Sequence, residues 1–291
     1  MAQSFSIREQ GMTNTPIAEN APCRVLVTGA AGHIGAYFAR HNQGRYALRL
    51  MARGDEDNIA DLHSWGEVVC GELGDLDALK RFAEGIDTIV HMAGNPGPSA
   101  VWQDLLDANI IGTYHVFAAA KAMGVKRVVY ASSIHAVSGY PADVQVKTTE
   151  PVNPGDLYGV SKCFGEALAR YMAEQEGVSA IAIRIGGFQP PQTVQQDQGI
   201  TMLDDWISER DLNQLLQKCI DAPNIKYATL HGLSDNHFKR LDISDTRELV
   251  GYRPQDESAR ELPQLKDVPL EQMETASLRD PNASSGLRAD V

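Results

Sequence analysis

The chain has 291 residues, of which 43% are hydrophobic and 22% are charged, a composition that fits one large globular domain or a domain with a small annex. The formal net charge of −12 argues against nucleic acid or an anionic membrane as a partner, and no apolar run reaches the roughly 18 residues of a membrane span. The first 22 residues lack the apolar segment of a secretory signal, and the four cysteines lack metal-ligand spacing, so we expect a cytoplasmic protein with reduced cysteines and without a metal.

Strand-like and helical segments alternate along most of the chain. After a flexible N-terminal extension (1–22), the periodicity predicts strands at 23–28, 46–52, 67–70, 87–93, 126–132 and 179–185, and helices at 34–41, 76–84, 100–123 and 157–176. Strands that alternate with helices form parallel βαβ units, and near-continuous apolar strands are covered on both faces. The fold class predicted is therefore α/β, with a doubly wound parallel sheet over residues 23–185.

The regularity weakens beyond Gly186. A helix at 203–220, a strand at 226–231 and a short helix near 244–250 predict a small annex over residues 186–254, interleaved with the core. The segment 255–291 is polar and has little periodicity, so we expect it to be loose.

A glycine-rich segment, VTGAAGHIG, follows the first strand and opens the first helix. Gly29, Gly32 and Gly35 permit a tight turn, close approach of a pyrophosphate and packing of the helix on the strand. The helix N-terminus offers unpaired N–H groups to phosphates. In this strand–loop–helix context the segment predicts a dinucleotide site rather than a structural turn.

A tyrosine and a lysine lie one helical turn apart in the helix predicted at 157–176. The apolar residues of this helix recur with helical period and predict one buried stripe, formed by Val160, Phe164, Ala167, Leu168 and Tyr171. Tyr158 and Lys162 lie nearly opposite that stripe, which predicts that they face solvent or a cleft. Taken alone, they can also be an exposed i,i+4 pair that adds about 0.2–0.5 kcal/mol.

The ordered set of motifs resembles the extended short-chain dehydrogenase/reductase family, to which the sugar-nucleotide epimerases and dehydratases belong. The spacing G-x-x-G-x-x-G is followed by HMAG (91–94) after the fourth strand, SSIH (132–135) after the fifth, and DLYGVSK (156–162). The resemblance runs from about Cys23 to Pro254. It implies a Rossmann-type dinucleotide-binding domain with a small C-terminal substrate annex, NAD(P) as cofactor, and hydride transfer to or from a small-molecule substrate.

The resemblance also implies four catalytic residues. A phenol with a pKa near 10 is a poor base at neutral pH, but an opposite charge within a few ångströms lowers the pKa by roughly 1–3. Tyr158 is accordingly expected to act as the general base, with Lys162 as its electrostatic partner and a ribose ligand. Ser133 is expected to donate to the substrate oxygen, and Asn109 to hold a water that links Lys162 to solvent.

The cofactor cleft implied by the resemblance draws on most of the strand ends. Its expected residues are Gly29, Ala31, Gly32, His33, Ile34, Gly35, Arg53, Glu72, Leu73, Met92, Ala93, Gly94, Tyr158, Lys162 and Ile185. Arg53 follows the second strand, where it can pair with a 2′-phosphate, so NADP is favoured over NAD. Asp55 can still bind the ribose of NAD, and Arg53 can be a solvated arginine.

Within the family, the segments DLYGVSKCFGE, IRIGG and MLDDWISERDL resemble the uronate dehydrogenases, which oxidise C1 of a free hexuronic acid to its lactone. The expected substrate residues are Asn95, Ser133, Ile134, His135, Gly187 and Thr201. Thr201 stands where those enzymes have a carboxylate-binding arginine, and threonine cannot replace its bidentate hydrogen bonds. The resemblance therefore implies a small sugar or polyol rather than a hexuronate, unless Arg184, Arg210 or Lys239 substitutes.

Two other classes of protein stay open from the sequence. A nucleotide-sugar epimerase or dehydratase would use the same serine, tyrosine and lysine but retain its NAD through the cycle. A regulatory protein that binds the cofactor without catalysis is the second alternative, and the intact set of catalytic residues argues against it. A homodimer through the helices near 100–123 and 157–176 is implied by the resemblance alone.

Overall fold

The computed structural model describes residues 21–56, 59–141, 143–193 and 199–263. Its strands are β1 (Arg24–Thr28), β2 (Ala47–Ala52), β3 (Glu67–Cys70), β4 (Thr88–His91), β5 (Arg127–Ser133), β6 (Ser179–Ile185), β7 (Gly187–Phe188), β8 (Trp206–Ile207) and β9 (Tyr227–Gly232). Seven of them form a parallel sheet in the order β3-β2-β1-β4-β5-β6-β9, which confirms the predicted Rossmann-type fold class. Strands β7 and β8 form a separate parallel pair.

Helices cover both faces of the sheet. They are α1 (His33–Asn42), α2 (Ile59–Leu62), α3 (Leu76–Ala83), α4 (Trp102–Leu105), α5 (Gly112–Ala122), α6 (Leu157–Glu174), α7 (Gly199–Asp205), α8 (Glu209–Asp221), α9 (Ser244–Val250) and α10 (Ser258–Glu261). One apolar core joins the sheet to α1 and α8, and the other joins it to α3, α5 and α6. No helix among those described is long and apolar enough to cross a membrane.

The order of the strands places a cleft at the carboxyl edge of the sheet. Strand β1 pairs with β2 on one side and with β4 on the other, so the connections turn in opposite directions from β1. At such a switch point the loops after neighbouring strands separate, which leaves a crevice for a ligand.

The helical segment predicted at 100–123 is confirmed over residues 102–122, although a π-helical stretch divides it into two α-helices. Helix α4 passes into a π-helical segment, Leu106–Ile111, before α5 begins. A π-helical turn holds one residue more than an α-helical turn and is frequent at functional sites. Asn109 lies in this segment and is only 2% exposed.

The helix predicted at 203–220 is also divided. Helix α7 ends at Asp205, strand β8 pairs with β7, and α8 begins after Ser208, whose hydroxyl accepts a hydrogen bond from the backbone N–H of Asp211. The region 186–254, expected as an annex interleaved with the core, contributes α8 and β9 to the core itself.

The buried stripe predicted for α6 is wrong. Val160 is 43% exposed and Tyr171 is 50% exposed, whereas the buried face carries mostly small residues. The reason is close packing: a Cβ on Gly159 would lie 2.2 Å from the carbonyl oxygen of His135, and one on Gly165 would lie 2.1 Å from the hydroxyl of Tyr130. Small residues thus let α6 approach β5 closely, and large apolar residues remain on its outer face.

The start of the polar segment 255–291 is packed, contrary to the expectation of a loose tail. The carboxylate of Asp256 accepts hydrogen bonds from Ser208 and Arg210, and Leu262 is fully buried. Residues 264–291, and residues 1–20 of the N-terminal extension, lie outside the described part of the chain.

Candidate active site

Two adjoining cavities of about 610 and 1060 Å³ form one cleft at the carboxyl edge of the sheet. They share a set of lining residues that includes Gly29, Gly32, Met92 and Gly94. The residues predicted to bind the cofactor all line this cleft: Gly29, Ala31, Gly32, His33, Ile34, Gly35, Arg53, Glu72, Leu73, Met92, Ala93, Gly94, Tyr158, Lys162 and Ile185. The fold thus brings together residues that lie as far apart in sequence as Gly29 and Ile185.

The glycine segment forms a cradle that only glycine can build. Gly29 has a φ of +70°, and a Cβ there would lie 2.7 Å from the backbone nitrogen of Ala93. A Cβ on Gly35 would lie 2.3 Å from the carbonyl oxygen of Gly29. Gly32 is the N-cap of α1 and offers no side chain to the first turn, so the N–H groups of that turn are free of a side-chain cap. The cradle therefore fits the pyrophosphate of a dinucleotide.

The turn after β2 holds an acid that was not among the predicted residues. The Glu56 carboxylate accepts hydrogen bonds from the backbone N–H groups of Arg53, at 2.9 Å, and Gly54, at 2.8 Å. Burial raises the pKa of Glu56, but these hydrogen bonds outweigh it and lower the pKa overall. The Arg53 Nε lies 3.5 Å from carboxylate oxygens of Asp55 and Glu56. At this end of the cleft, the backbone N–H groups of the turn are therefore occupied by the chain's own carboxylate.

Tyr158 and Lys162 reach the cleft from the buried face of α6. They are 8% and 7% exposed, and both line the smaller cavity. The Lys162 Nζ donates a hydrogen bond of 2.8 Å to the carbonyl oxygen of Ala131 and lies 5.5 Å from the centre of the Tyr158 ring. Of the two surroundings that the sequence left open for this pair, the structure places it in the cleft.

Burial dominates the proton affinities of this pair. It raises the pKa of Tyr158 to about 12, with the Ser133 hydroxyl lowering it in part and the charge of Asp156 raising it further. Burial lowers the pKa of Lys162 to about 8. The expected net lowering of the tyrosine pKa by Lys162 is therefore wrong for the protein by itself.

Ser133 and His135 follow the end of β5 and line the same cavity. The Ser133 hydroxyl accepts a hydrogen bond of 3.2 Å from the backbone N–H of His135. The His135 Nδ1 lies 2.6 Å from Asp156 Oδ2, while Asp156 Oδ1 caps α6 by accepting from the backbone N–H of Gly159. Asp156 thus holds both the His135 imidazole and the start of α6, a link that the sequence did not reveal.

Asn109 lies behind the cleft rather than in its wall. Its Nδ2 donates to the carbonyl oxygen of Asn95 and to the Ser161 hydroxyl, both at 3.0 Å, and its Oδ1 accepts from the backbone N–H of Asn95 at 2.7 Å. Both amide hydrogens are therefore used to tie the loop after β4 to α6. Its role in holding a water stays a prediction that depends on the second lone pair of Oδ1.

The predicted substrate residues Asn95, Ser133, Ile134, His135 and Gly187 line the smaller cavity. Thr201 lies in α7, but its side chain is outside the described part of the structure. Phe188, Gln189, Met202 and Asp205 also line this cavity and were not predicted. Their signal in the sequence is weak, because they come from two segments that only the β7–β8 pairing brings together.

The three cations considered as substitutes for a carboxylate-binding arginine all lie outside the cleft. Arg184 forms a buried bidentate pair with Glu166, with two N–O distances of 2.9 Å. Arg210 binds the Asp256 carboxylate, and the Lys239 Nζ lies 2.9 Å from Asp235 Oδ1. Among the described residues that line the smaller cavity, Lys162 is the only lysine and none is an arginine.

Comparison with known proteins agrees with this geometry. The chain is 34% identical over 252 residues to the NAD-dependent glucose-6-phosphate dehydrogenase of Haloferax volcanii, covering 81% of this chain and 94% of that protein. It is 33% identical over 256 residues to the L-arabinose 1-dehydrogenase (NAD(P)(+)) of the same organism, covering 81% and 98% of the two chains. A crystal structure of uronate dehydrogenase from Agrobacterium tumefaciens in complex with NAD superposes with a TM-score of 0.75 at 32% identity, covering 90% and 93% of the chains.

Residues 25–209 match the sequence profile of the NAD dependent epimerase/dehydratase family, which spans the glycine cradle, Ser133, the Tyr158–Lys162 pair and α7. The match covers most of the chain, and the relatives above exceed 30% identity over nearly their full lengths. The chain therefore belongs to the NAD dependent epimerase/dehydratase family, as its motifs indicated.

Proposed function

We infer that the protein is an NAD(P)-dependent dehydrogenase that transfers a hydride between the nicotinamide and a small sugar. The observation that carries this inference is the convergence of Ser133, Tyr158 and Lys162 at the end of a glycine-lined cleft. The relatives that share most of this chain are named as dehydrogenases of glucose 6-phosphate, L-arabinose and uronate, which supports oxidation of a sugar carbon.

In this proposal, side chains of the protein accept the proton of the substrate hydroxyl and return it in the reverse reaction. In the direction of oxidation, the Tyr158 oxygen accepts the proton of the substrate hydroxyl, and in reduction it returns that proton. Ser133 donates a hydrogen bond to the substrate oxygen and so holds it near the phenol. Lys162 favours the phenolate while its amine is protonated, and because burial lowers its pKa to about 8, it carries this charge mainly below that pH. When bound, the oxidised cofactor supplies the hydride acceptor and a positive charge.

A panel of free aldoses, uronates, sugar phosphates, polyols and nucleotide sugars, each with NAD and NADP, tests the function. Formation of reduced cofactor, read at about 340 nm, is expected with free sugars, since hydride transfer to the cofactor is the net reaction. Turnover of UDP- or dTDP-sugars without net reduction, by protein that retains NAD, would instead select the epimerase or dehydratase alternative. Cofactor binding without any turnover would indicate a regulatory protein.

The choice of cofactor is proposed to depend on the turn after β2. Arg53 is expected to attract the 2′-phosphate of NADP, while Glu56 already occupies the backbone N–H groups of this turn and opposes a second anion. A ribose 2′-hydroxyl, in contrast, can donate to the Glu56 carboxylate. The preference for NADP over NAD therefore reflects the balance between these two side chains.

Exchanging Arg53 for aspartate is expected to lower the ratio of kcat/KM for NADP to that for NAD by about tenfold or more, because a charge-assisted hydrogen bond is lost. Glu56→Gln is the matched variant and is expected to raise the same ratio, because it removes the competing charge. Initial rates with each cofactor provide the measurement. An unchanged ratio in Arg53→Asp would remove Arg53 from this role.

We also propose that two copies associate through α5 and α6. These helices pack side by side, and their outer faces expose Tyr114 (53%), Val160 (43%) and Tyr171 (50%), with Trp102 and Ile111 exposed on the preceding segments. Contiguous exposed apolar surface marks an interaction site. The stripe of α6 predicted to be buried would then be covered by a second copy of the chain.

Tyr114→Glu is expected to convert a dimer into a monomer, since it places a charge in the centre of this apolar surface. Light scattering coupled to size-exclusion chromatography should give half the wild-type mass. Leu249→Glu serves as the control, because Leu249 is equally exposed (53%) but lies on α9. Equal masses for wild type and Tyr114→Glu would exclude this interface.

A further inference from the structure

One carboxyl oxygen in the wall of the cleft has no hydrogen-bond partner among the described residues. Asp205, the last residue of α7, is 2% exposed, and its Oδ1 makes no hydrogen bond within the described part of the chain. Buried polar atoms are nearly always hydrogen-bonded, so an exception needs a physical reason. An atom of this kind in the wall of a ligand cavity is explained when the ligand completes its hydrogen bonding.

Asp205 lies at the substrate end of the cleft. It lines the same cavity as Ser133 and Tyr158. Its Oδ1 is 2.9 Å from the point that a Cβ on Gly187 would occupy, and the terminal methyl of Met202 is 2.7 Å from the same point. Because Gly187 has no side chain, there is room for the Asp205 carboxyl. The neighbouring Met202 has an unbranched side chain that changes conformation easily.

Among the described residues, Asp205 forms no ion pair. The preceding carboxylate, Asp204, binds Arg240 with an Nε–Oδ2 distance of 3.1 Å. Burial, and then the charge of Asp204, raises the pKa of Asp205 well above its ordinary value, although Arg240 opposes this. The carboxyl therefore holds a proton more readily than an ordinary aspartate does. A protonated carboxyl can both donate and accept hydrogen bonds, as a sugar hydroxyl can.

We propose that the Asp205 carboxyl binds one hydroxyl group of a neutral sugar, and that the site consequently prefers an aldose to the corresponding uronate or sugar phosphate. This inference rests on the proposed function and names its substrate class. Because Oδ1 is buried, its contact with the sugar is expected to require a rotation of the neighbouring Met202 side chain. A substrate carboxylate or phosphate in this position would lie beside Asp205 with no arginine among the described residues that line the smaller cavity, and the one lysine there, Lys162, is hydrogen-bonded to the carbonyl oxygen of Ala131.

The test compares the best neutral sugar of the panel with its monodeoxy analogues in wild type and in Asp205→Ala. In wild type, removal of one particular hydroxyl is expected to lower kcat/KM by about tenfold to a hundredfold, because a hydrogen bond to a buried group is lost. In Asp205→Ala the intact sugar should show the same loss, mainly as a higher KM, and the deoxy analogue should lose nothing further. Asp205→Asn, which keeps a neutral hydrogen-bonding group, should retain most of the wild-type discrimination.

Asp211→Asn is the control, because Asp211 is a buried acid that does not line the cleft, and its pattern of deoxy-sugar penalties should equal that of wild type. Equal penalties in wild type and Asp205→Ala would overturn the role of Asp205 while leaving the dehydrogenase function in place. If Asp205→Ala does not fold, wild type alone decides: a neutral aldose should exceed its uronate in kcat/KM by about tenfold or more, and the reverse order overturns the proposal. Absence of turnover with every sugar would overturn the proposed function and this inference together.

Discussion

Replacing Tyr158 with phenylalanine is expected to lower kcat/KM for sugar oxidation by about 10²–10⁴-fold, because the phenolic oxygen is the group proposed to accept the substrate proton. Cofactor binding, followed by quenching of intrinsic fluorescence, should change little, since the aromatic ring remains. Burial raises the pKa of Tyr158 to about 12, so the fraction of phenolate grows as the pH rises. Oxidation by wild type should therefore accelerate as the pH rises from about 7 to about 8, and the rise should flatten above that pH, because Lys162, with a pKa of about 8, then loses the charge that favours the phenolate.

The pH profile separates a catalytic role from a structural one. Phenylalanine at position 158 should abolish the rise of the rate with pH, whereas a merely destabilised protein would keep it at reduced amplitude. Tyr140→Phe is a suitable control, because its hydroxyl donates to the carbonyl oxygen of Pro151 outside the cleft. Near-wild-type turnover in Tyr158→Phe would show that another group carries the proton.

Replacing Arg184 with methionine is expected to destabilise the protein by about 3–5 kcal/mol, because it leaves the Glu166 carboxylate buried without its cation. The two side chains are only 3% and 5% exposed, and Ser132 adds a hydrogen bond of 2.6 Å to the same carboxylate. Urea unfolding followed by circular dichroism provides the measurement. The double variant Glu166→Leu/Arg184→Met should recover much of the loss, since it removes both charges from the interior.

Two control measurements distinguish a structural role of Arg184 from a role in binding the substrate. Arg45→Met breaks an exposed pair with Asp221 and should have a much smaller effect. At a temperature where Arg184→Met is folded, its KM for the sugar should equal that of wild type, because Arg184 does not line the cleft. A raised KM with unchanged stability would instead make Arg184 a substrate ligand, the alternative that the sequence had left open.

Local sequence pattern was sufficient to predict the α/β architecture. The strand predicted at 179–185 coincides with β6, and the short helix predicted near 244–250 coincides with α9. Apolar β-branched runs and helical periodicity indicate these elements from residues that are close along the chain. The glycine cradle was equally predictable, because the spacing of Gly29, Gly32 and Gly35 encodes backbone conformations and close approaches that other residues cannot adopt.

The orientation of α6 was predicted wrongly from the sequence. Hydrophobicity predicted that Val160 and Tyr171 point into the core, but the distance between α6 and β5 is too short for large side chains there. Glycine and alanine therefore face the sheet. Burial depends on the available space as well as on polarity, and space between elements is a property of the assembled fold.

The sequence by itself determined the α/β fold, the dinucleotide cradle and the helical spacing that stacks Tyr158 on Lys162, because each depends on residues that are close along the chain. The tertiary structure alone decided that Glu56 occupies the turn beside Arg53, that Asp156 holds His135, and that Asp205 lines the smaller cavity. These contacts depend on turn geometry and on strand pairings between distant segments. Hydrogen bonding and desolvation act on the distances in the folded protein, which no local pattern specifies.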